Sequence, residues 1–229
     1  EAADFGAVRG SVMNTIMRPA LTWIDGDFQS GIEIEVRDSH ILDVRTTEQS
    51  PTDSSLALLP GFVNAHSHAF QRGLRGRGEV FTNPDDDFWS WRKAMYGLVE
   101  TLTPESAYEH SLRAFQEMRA AGITSVGEFH YIHHSDAGLD YALDEAVLSA
   151  ASTADIRIVL LHACYLAGGF DQSLSGAQER FDGTDLSTWW KAFDRAHQAC
   201  HGEAQTMGVV IHSLRAVPID IAVELRTEA

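Results

Sequence analysis

The first part of the chain alternates between apolar and polar positions, as β-strands do. Residues 31–36 show this period of two most clearly, which predicts a half-buried strand. Residues 40–45 predict a second strand and residues 21–24 a weaker third one. Residues 46–55 are polar and contain a proline, so they predict a loop. We therefore expect a small β-sandwich portion over residues 1–55.

From residue 56 onward, short apolar runs alternate with longer amphipathic segments. The short runs predict four buried strands, at residues 56–65, 123–129, 156–161 and 209–211. The longer segments predict four helices, at residues 104–121, 140–154, 186–206 and 218–228. Thr103 is suited to cap the first of these helices, because its hydroxyl can accept an exposed backbone N–H and Pro104 fits the first turn. Alternating strands and helices indicate an α/β fold with a parallel sheet.

Composition excludes several classes of protein. The chain has 229 residues, of which 44% are hydrophobic, so an intrinsically disordered protein is not expected. The net charge of −16 disfavours nucleic acid as a partner. No apolar run approaches the ~18 residues of a membrane span, and the acidic first residues do not resemble a signal peptide. We expect a cytoplasmic protein in which Cys164 and Cys200 stay reduced.

Two histidines at the end of the first predicted buried strand are the strongest candidates for chemistry. Residues two apart on a strand project to the same face, so the imidazoles of His66 and His68 are expected to lie side by side. Neutral imidazoles suit Zn²⁺ or a similar divalent ion. The alternative is a pair of surface histidines with no ligand.

The residues around this pair resemble a known family. Residues 60–68 are similar to the first metal-binding motif of the amidohydrolase superfamily, whose members have a TIM-like (β/α)₈ barrel beside a small β-sandwich. Further segments are similar, in the same order, to formimidoylglutamate deiminases: residues 68–72, 88–92, 95–96, 128–134 and 212–217. The resemblance implies hydrolysis of N-formimidoyl-L-glutamate to N-formyl-L-glutamate and ammonia, in histidine degradation. It also implies a cytosolic homodimer.

The resemblance implies a role for seven residues. His66 and His68 would bind one divalent metal ion, expected to be zinc. Five residues match positions that bind the substrate: Gln71, Arg92, Tyr131, His212 and Arg215. This set suits a dicarboxylate, because a guanidinium binds a carboxylate through two parallel hydrogen bonds and the sequence offers two arginines.

Each of these positions also has an ordinary structural interpretation. Arg92 could form a surface ion pair with one of the acidic residues before it, Asp85, Asp86 and Asp87. Tyr131 could belong to the core, and His212 and Arg215 could cap the helix that follows. His130, His133 and His134 are interpreted as residues that orient the site, and Glu128 is left without a role.

The chain differs from the family in length. A full barrel of this type has ~250 residues, whereas residues 56–229 provide about four strand–helix units. The family's remaining metal ligands and its proton-transfer residues come from later strands, so the catalytic residues are expected outside this chain. We therefore expect the first half of a deiminase, inactive by itself. The alternatives are a guanine deaminase-like enzyme and a non-catalytic half-barrel that binds a partner chain.

Overall fold

A computed structural model of the protein describes residues 14–77, 87–136 and 139–228. The chain divides into two units, Glu1–Pro60 and Gly61–Ala229.

The first unit consists of six strands in two small sheets. The strands are β1 (Asn14–Met17), β2 (Pro19–Ile24), β3 (Asp27–Gln29), β4 (Ile32–Arg37), β5 (His40–Thr46) and β6 (Asp53–Leu58). One sheet is antiparallel with the order β1-β4-β5, and the other has the order β3-β2-β6, with β2 and β6 parallel. The strands predicted at residues 21–24, 31–36 and 40–45 are confirmed as parts of β2, β4 and β5.

The second unit contains a four-stranded parallel sheet with helices between its strands. Its strands are β7 (Phe62–Ser67), β8 (Ile123–His130), β9 (Arg157–Cys164) and β10 (Gln205–Ile211). Its helices are α1 (Phe88–Thr101), α2 (Pro104–Ala120), α3 (Ala142–Thr153), α4 (Leu186–Ala199) and α5 (Ile219–Glu228). The strand order is β10-β9-β8-β7 and every pairing is parallel. The predicted α/β class is confirmed.

The prediction of one strand over residues 56–65, after a loop at residues 46–55, was wrong. The chain forms β6 and β7 there, and the residues between them, Leu59, Pro60 and Gly61, belong to neither strand. Proline provides no N–H for a sheet, so it ends a strand that the apolar pattern alone would continue. The two units meet in the sequence at this break.

Two helix predictions also differ from the structure. Helix α1 was not predicted at all, and the helix predicted at residues 186–206 ends at Ala199. Gly202 has a φ of 66°, a left-handed conformation that a continuing helix cannot contain. Gln205 then begins β10, and its side chain donates to the carbonyl of Leu148 at 2.8 Å.

The start of α2 follows the prediction closely. The hydroxyl of Thr103 accepts a hydrogen bond from the backbone N–H of Ser106, and the Ser106 side chain binds back to Thr103. Pro104 occupies the first turn.

The core of the second unit lies between the sheet and its helices. One cluster contains Phe115, Val126 and Ile158, which are almost completely buried, and another is centred on Trp189. Both cysteines are free. Among the described residues, no helix is both long enough and apolar enough to span a membrane.

Two glycines allow β7 to lie close to β8. A Cβ atom on Gly61 would overlap with the side chain of Thr124, and one on Gly127 would come within 2.9 Å of the carbonyl oxygen of Ala65. Pairs from Phe62↔Ile123 to Ser67↔Glu128 set the register of the two strands.

Candidate active site

A cavity of about 340 Å³ lies where the four parallel strands end, and we call it the strand-end cavity. The carboxyl ends of parallel strands are where α/β folds place their ligands. All seven residues predicted to bind metal or substrate line this cavity: His66, His68, Gln71, Arg92, Tyr131, His212 and Arg215. The fold therefore brings together residues that are far apart in the sequence, from His66 in β7 to Arg215 after β10.

His66 in β7 and His68 directly after this strand point their outer ring nitrogens at each other. The Nε2 atoms of His66 and His68 are 3.1 Å apart. The Nδ1 atom of His68 lies 2.8 Å from the carbonyl oxygen of Phe129, so this nitrogen donates its proton and leaves a lone pair on Nε2. Burial lowers the pKa of His68 and so favours the neutral imidazole. The hydrogen bond with the Phe129 carbonyl raises this pKa, but burial has the larger effect.

This pair fits a divalent metal ion. Zinc binds neutral imidazole nitrogens at ~2.0–2.1 Å, so two ring nitrogens 3.1 Å apart are close enough to bind one ion. A backbone carbonyl that fixes the tautomer of one ligand is typical of metal sites. The pair would supply two of the three protein ligands that a catalytic zinc site usually has.

Two arginines bring positive charge to the cavity. Arg92 is half-buried on α1, and its Nε atom donates to the hydroxyl of Tyr96 at 3.1 Å. Arg215 is exposed and follows β10. No carboxylate lines the described wall of the cavity. The wall is therefore suited to anions, although the whole chain is strongly acidic.

The surface ion pair between Arg92 and a preceding aspartate is not seen among the described residues. The Asp87 carboxylate accepts hydrogen bonds from the backbone N–H groups of Trp89 and Ser90, which caps α1. Asp85 and Asp86 lie outside the described residues.

Neutral hydrogen-bonding groups line the same cavity as the histidines and Arg92. The Gln71 amide donates to the Tyr131 hydroxyl at 3.3 Å. Burial raises the pKa of Tyr131, so its hydroxyl keeps its proton and can donate to a ligand.

His212 is a neutral member of the wall. Burial lowers its pKa to about 4, and the charges of Arg215, His68 and Arg92 act in the same direction. Its Nδ1 atom lies 3.3 Å from the hydroxyl of Ser213. At neutral pH it can therefore offer a hydrogen bond without adding charge.

A buried polar cluster lies next to the strand ends. The Asp144 carboxylate is 2.8 Å from ring nitrogens of each of three histidines, His130, His133 and His162. Burial raises the pKa of Asp144, but charges and hydrogen bonds from these histidines outweigh it and hold the pKa well below its usual range. Ligand-type atoms of His130, His133 and Asp144 lie within 4.8 Å of one another. These three residues could also hold a cation.

His133 has an acceptor at each of its ring nitrogens. Its Nδ1 atom lies at Asp144 and its Nε2 atom is 2.9 Å from the carbonyl oxygen of Ala163. The sequence offered no signal for Asp144 or His162 as members of this cluster.

Glu128, which the sequence left without a role, lies beneath the first strand end. One carboxyl oxygen accepts the backbone N–H of Ala69 at 2.6 Å, directly after His68. Burial raises its pKa to about 7, although bonds from Ala69 and Ser67 oppose this.

The chain is similar to known proteins along most of its length. The model of the amidohydrolase family matches residues 57–213. A formimidoylglutamate deiminase of Pseudomonas aeruginosa is 42% identical over 177 residues, which are 74% of this chain and 38% of the relative. An 8-oxoguanine deaminase of the same organism is 29% identical over 126 residues, which are 52% of this chain and 26% of that enzyme.

A solved structure extends the likeness to both units. The crystal structure of an amidohydrolase from Brucella melitensis matches with a TM-score of 0.80 and 30% identity. The match covers 93% of this chain and 50% of that one. The chain thus spans half or less of the length of these relatives.

Proposed function

The chain belongs to the amidohydrolase family, and we propose that it provides the first half of a zinc-dependent enzyme that hydrolyses N-formimidoyl-L-glutamate. In this proposal, the four parallel strands are the first half of a (β/α)₈ barrel, and the two small sheets belong to its β-sandwich. The products are N-formyl-L-glutamate and ammonia, as in histidine degradation. The observation that carries the proposal is the position of the His66–His68 pair in the same cavity as Arg92 and Arg215.

The charges of the cavity support a dicarboxylate substrate. N-Formimidoyl-L-glutamate has two carboxylates and one amidine-like group, and each arginine can bind one carboxylate. Tyr131, Gln71 and neutral His212 can add hydrogen bonds that carry no charge. The substrate would be oriented with its formimidoyl carbon towards His66 and His68.

The histidines would hold zinc, which when bound supplies Lewis-acid activation of water. A proton must also reach the leaving nitrogen, a step that carboxylates and histidines usually perform. The described wall has no carboxylate, so we place that group outside these residues. We expect the 229-residue chain alone to release no ammonia from N-formimidoyl-L-glutamate. Ammonia release that is abolished by His66→Ala would contradict this.

Ligand binding tests the proposal on the chain itself. Zinc and N-formyl-L-glutamate are titrated separately by calorimetry. Arg92→Met and Arg215→Met should each raise the Kd of N-formyl-L-glutamate by roughly tenfold or more, because each removes a charge-assisted hydrogen-bonded pair. Zinc binding should be lost in His66→Ala and kept in both arginine variants. Arg113→Met, on the exposed side of α2, is the matched control.

A second candidate is the hydrolysis of an aminated purine. The similarity to 8-oxoguanine deaminase favours it, and the cavity wall has aromatic rings, including Trp91 and Phe129, on which a base could stack. Tight binding of guanine, unaffected by Arg92→Met, would support this candidate over the first.

A further inference from the structure

Arg180 is a buried arginine outside the strand-end cavity. It lies in a short 3₁₀ segment, Gly176–Phe181, and 6% of its surface is exposed. Burying a guanidinium is costly unless its N–H groups are satisfied, so the partners of this side chain indicate its role.

The guanidinium donates to four backbone carbonyls on two other segments. Two of them, Val99 and Leu102, are at the end of α1, and the Leu102 oxygen is 2.5 Å away. The other two, His134 and Ser135, follow β8 and lie at 2.9 and 2.6 Å. The backbone carbonyl of Arg180 in turn accepts the N–H groups of His133 and His134.

The segments that Arg180 joins carry three parts of the cavity wall. Helix α1 carries Arg92 and Tyr96, and the segment after β8 begins with Tyr131. Phe181, next to Arg180, has its ring centroid 5.2 Å from that of Tyr131 and 6.1 Å from that of Tyr96.

We propose that Arg180 is a positioning residue that fixes α1 against the end of β8 and so holds Arg92 in place to bind a substrate carboxylate. This inference rests on the proposed function. The Val99 carbonyl also accepts the backbone N–H of Leu102, the residue that follows α1, at 3.2 Å. Arg180 adds a hydrogen bond to this carbonyl and one to that of Leu102, and its charge complements the negative end of the helix dipole. The planar fork of arginine can reach both segments at once, whereas an ammonium group offers its three donors from a single atom.

The test compares two ligands in Arg180→Lys and Arg180→Met. The Kd of N-formyl-L-glutamate should rise by about tenfold or more in Arg180→Met, because a small displacement of a binding group costs much of its interaction. Arg180→Lys should bind this ligand more tightly than Arg180→Met and less tightly than the unmodified chain. Zinc should bind as before, since β7 holds His66 and the Phe129 carbonyl holds His68. Hydrogen exchange should accelerate in the last turn of α1.

The possible outcomes separate this inference from the proposed function. If the unmodified chain binds no N-formyl-L-glutamate, the proposed function fails and the inference fails with it. If that chain binds this ligand and the Arg180 variants bind it equally well, only the inference is overturned. Two further results would also overturn the inference: equal losses of affinity for zinc and for N-formyl-L-glutamate, or failure of both variants to fold. Either would mean that Arg180 stabilises the whole fold.

Discussion

Glu128 shows how burial sets the charge of a single side chain. It is 1% exposed, and one of its carboxyl oxygens has no hydrogen-bond partner among the described atoms. Its pKa of about 7 lies above the ordinary value of 4.5 because burial disfavours the charged form. Between these two values the folded chain holds a proton at Glu128 that the unfolded chain has released.

This difference predicts a pH-dependent effect of Glu128→Gln. The folded state binds more protons at this site, so Glu128 lowers stability progressively as pH rises from about 4.5 to 7, by roughly 3 kcal/mol in all. Glutamine does not titrate, so the variant does not lose stability in this way. Its free energy of unfolding relative to that of the unmodified chain should increase over that pH range and level off above pH 7. Urea unfolding from pH 5 to pH 8 measures this. A difference that stays constant with pH would contradict it, and exposed Glu109→Gln is the control.

Single residues differ in how far the sequence could predict their roles. His66 and His68 are two positions apart where β7 ends, so the period of a strand alone predicts that they meet. Asp144 binds histidines 11, 14 and 18 positions away, and Arg180 binds carbonyls 78 and 81 positions away. Such contacts depend on how α1, α3 and the sheet pack, which no local pattern of residues specifies.

At the scale of elements, α1 matters because it carries Arg92. Its buried residues, Met95 and Val99, are four apart as in an amphipathic helix. Trp89, however, is six positions before Met95, lies on another side of the helix and is 60% exposed. Apolar residues therefore occupy more than one side of α1 and hide its period, whereas Thr103 and Pro104 made the start of α2 predictable.

The Asp87 cap leads to a prediction about α1. Asp87→Ala should destabilise the second unit by about 1 kcal/mol, because it removes the acceptor of two backbone N–H groups. Asp87→Asn keeps an acceptor oxygen and should retain most of this stability. Urea unfolding distinguishes the two. Equal losses in both variants would mean that the negative charge, as in an ion pair with Arg92, is what stabilises the helix.

At the scale of the whole molecule, the four-stranded sheet has two strand edges among the described residues. Strand β7 forms one edge, and its Phe62 and Val63 side chains are 59% and 71% exposed. Unpaired edges with apolar side chains favour pairing with another chain. The α/β class and the parallel sheet were predictable from the sequence, but the break between β6 and β7 was not, because one apolar run continues across it.

The exposed edge predicts self-association. The isolated chain should form larger species as its concentration rises, measured by size-exclusion chromatography with light scattering. Val63→Lys should reduce this, since charged residues protect strand edges. Val223→Lys changes a valine of α5 that is 60% exposed, and it should have a smaller effect. Identical behaviour of the two variants would contradict a role for the edge.

The absence of a side chain at Gly61 has a consequence for folding errors. Successive residues of a strand face opposite sides, so sliding β7 by one position along β8 would turn both imidazoles away from the cavity and towards the helices. Close contact with Thr124 at Gly61 leaves room for a hydrogen atom alone. In the slipped pairing, the bulky neighbours Pro60 or Phe62 would have to occupy that space. Gly61 has no functional group, but the lack of space beside it destabilises the mispaired sheet, in which His66 and His68 could not meet in the cavity.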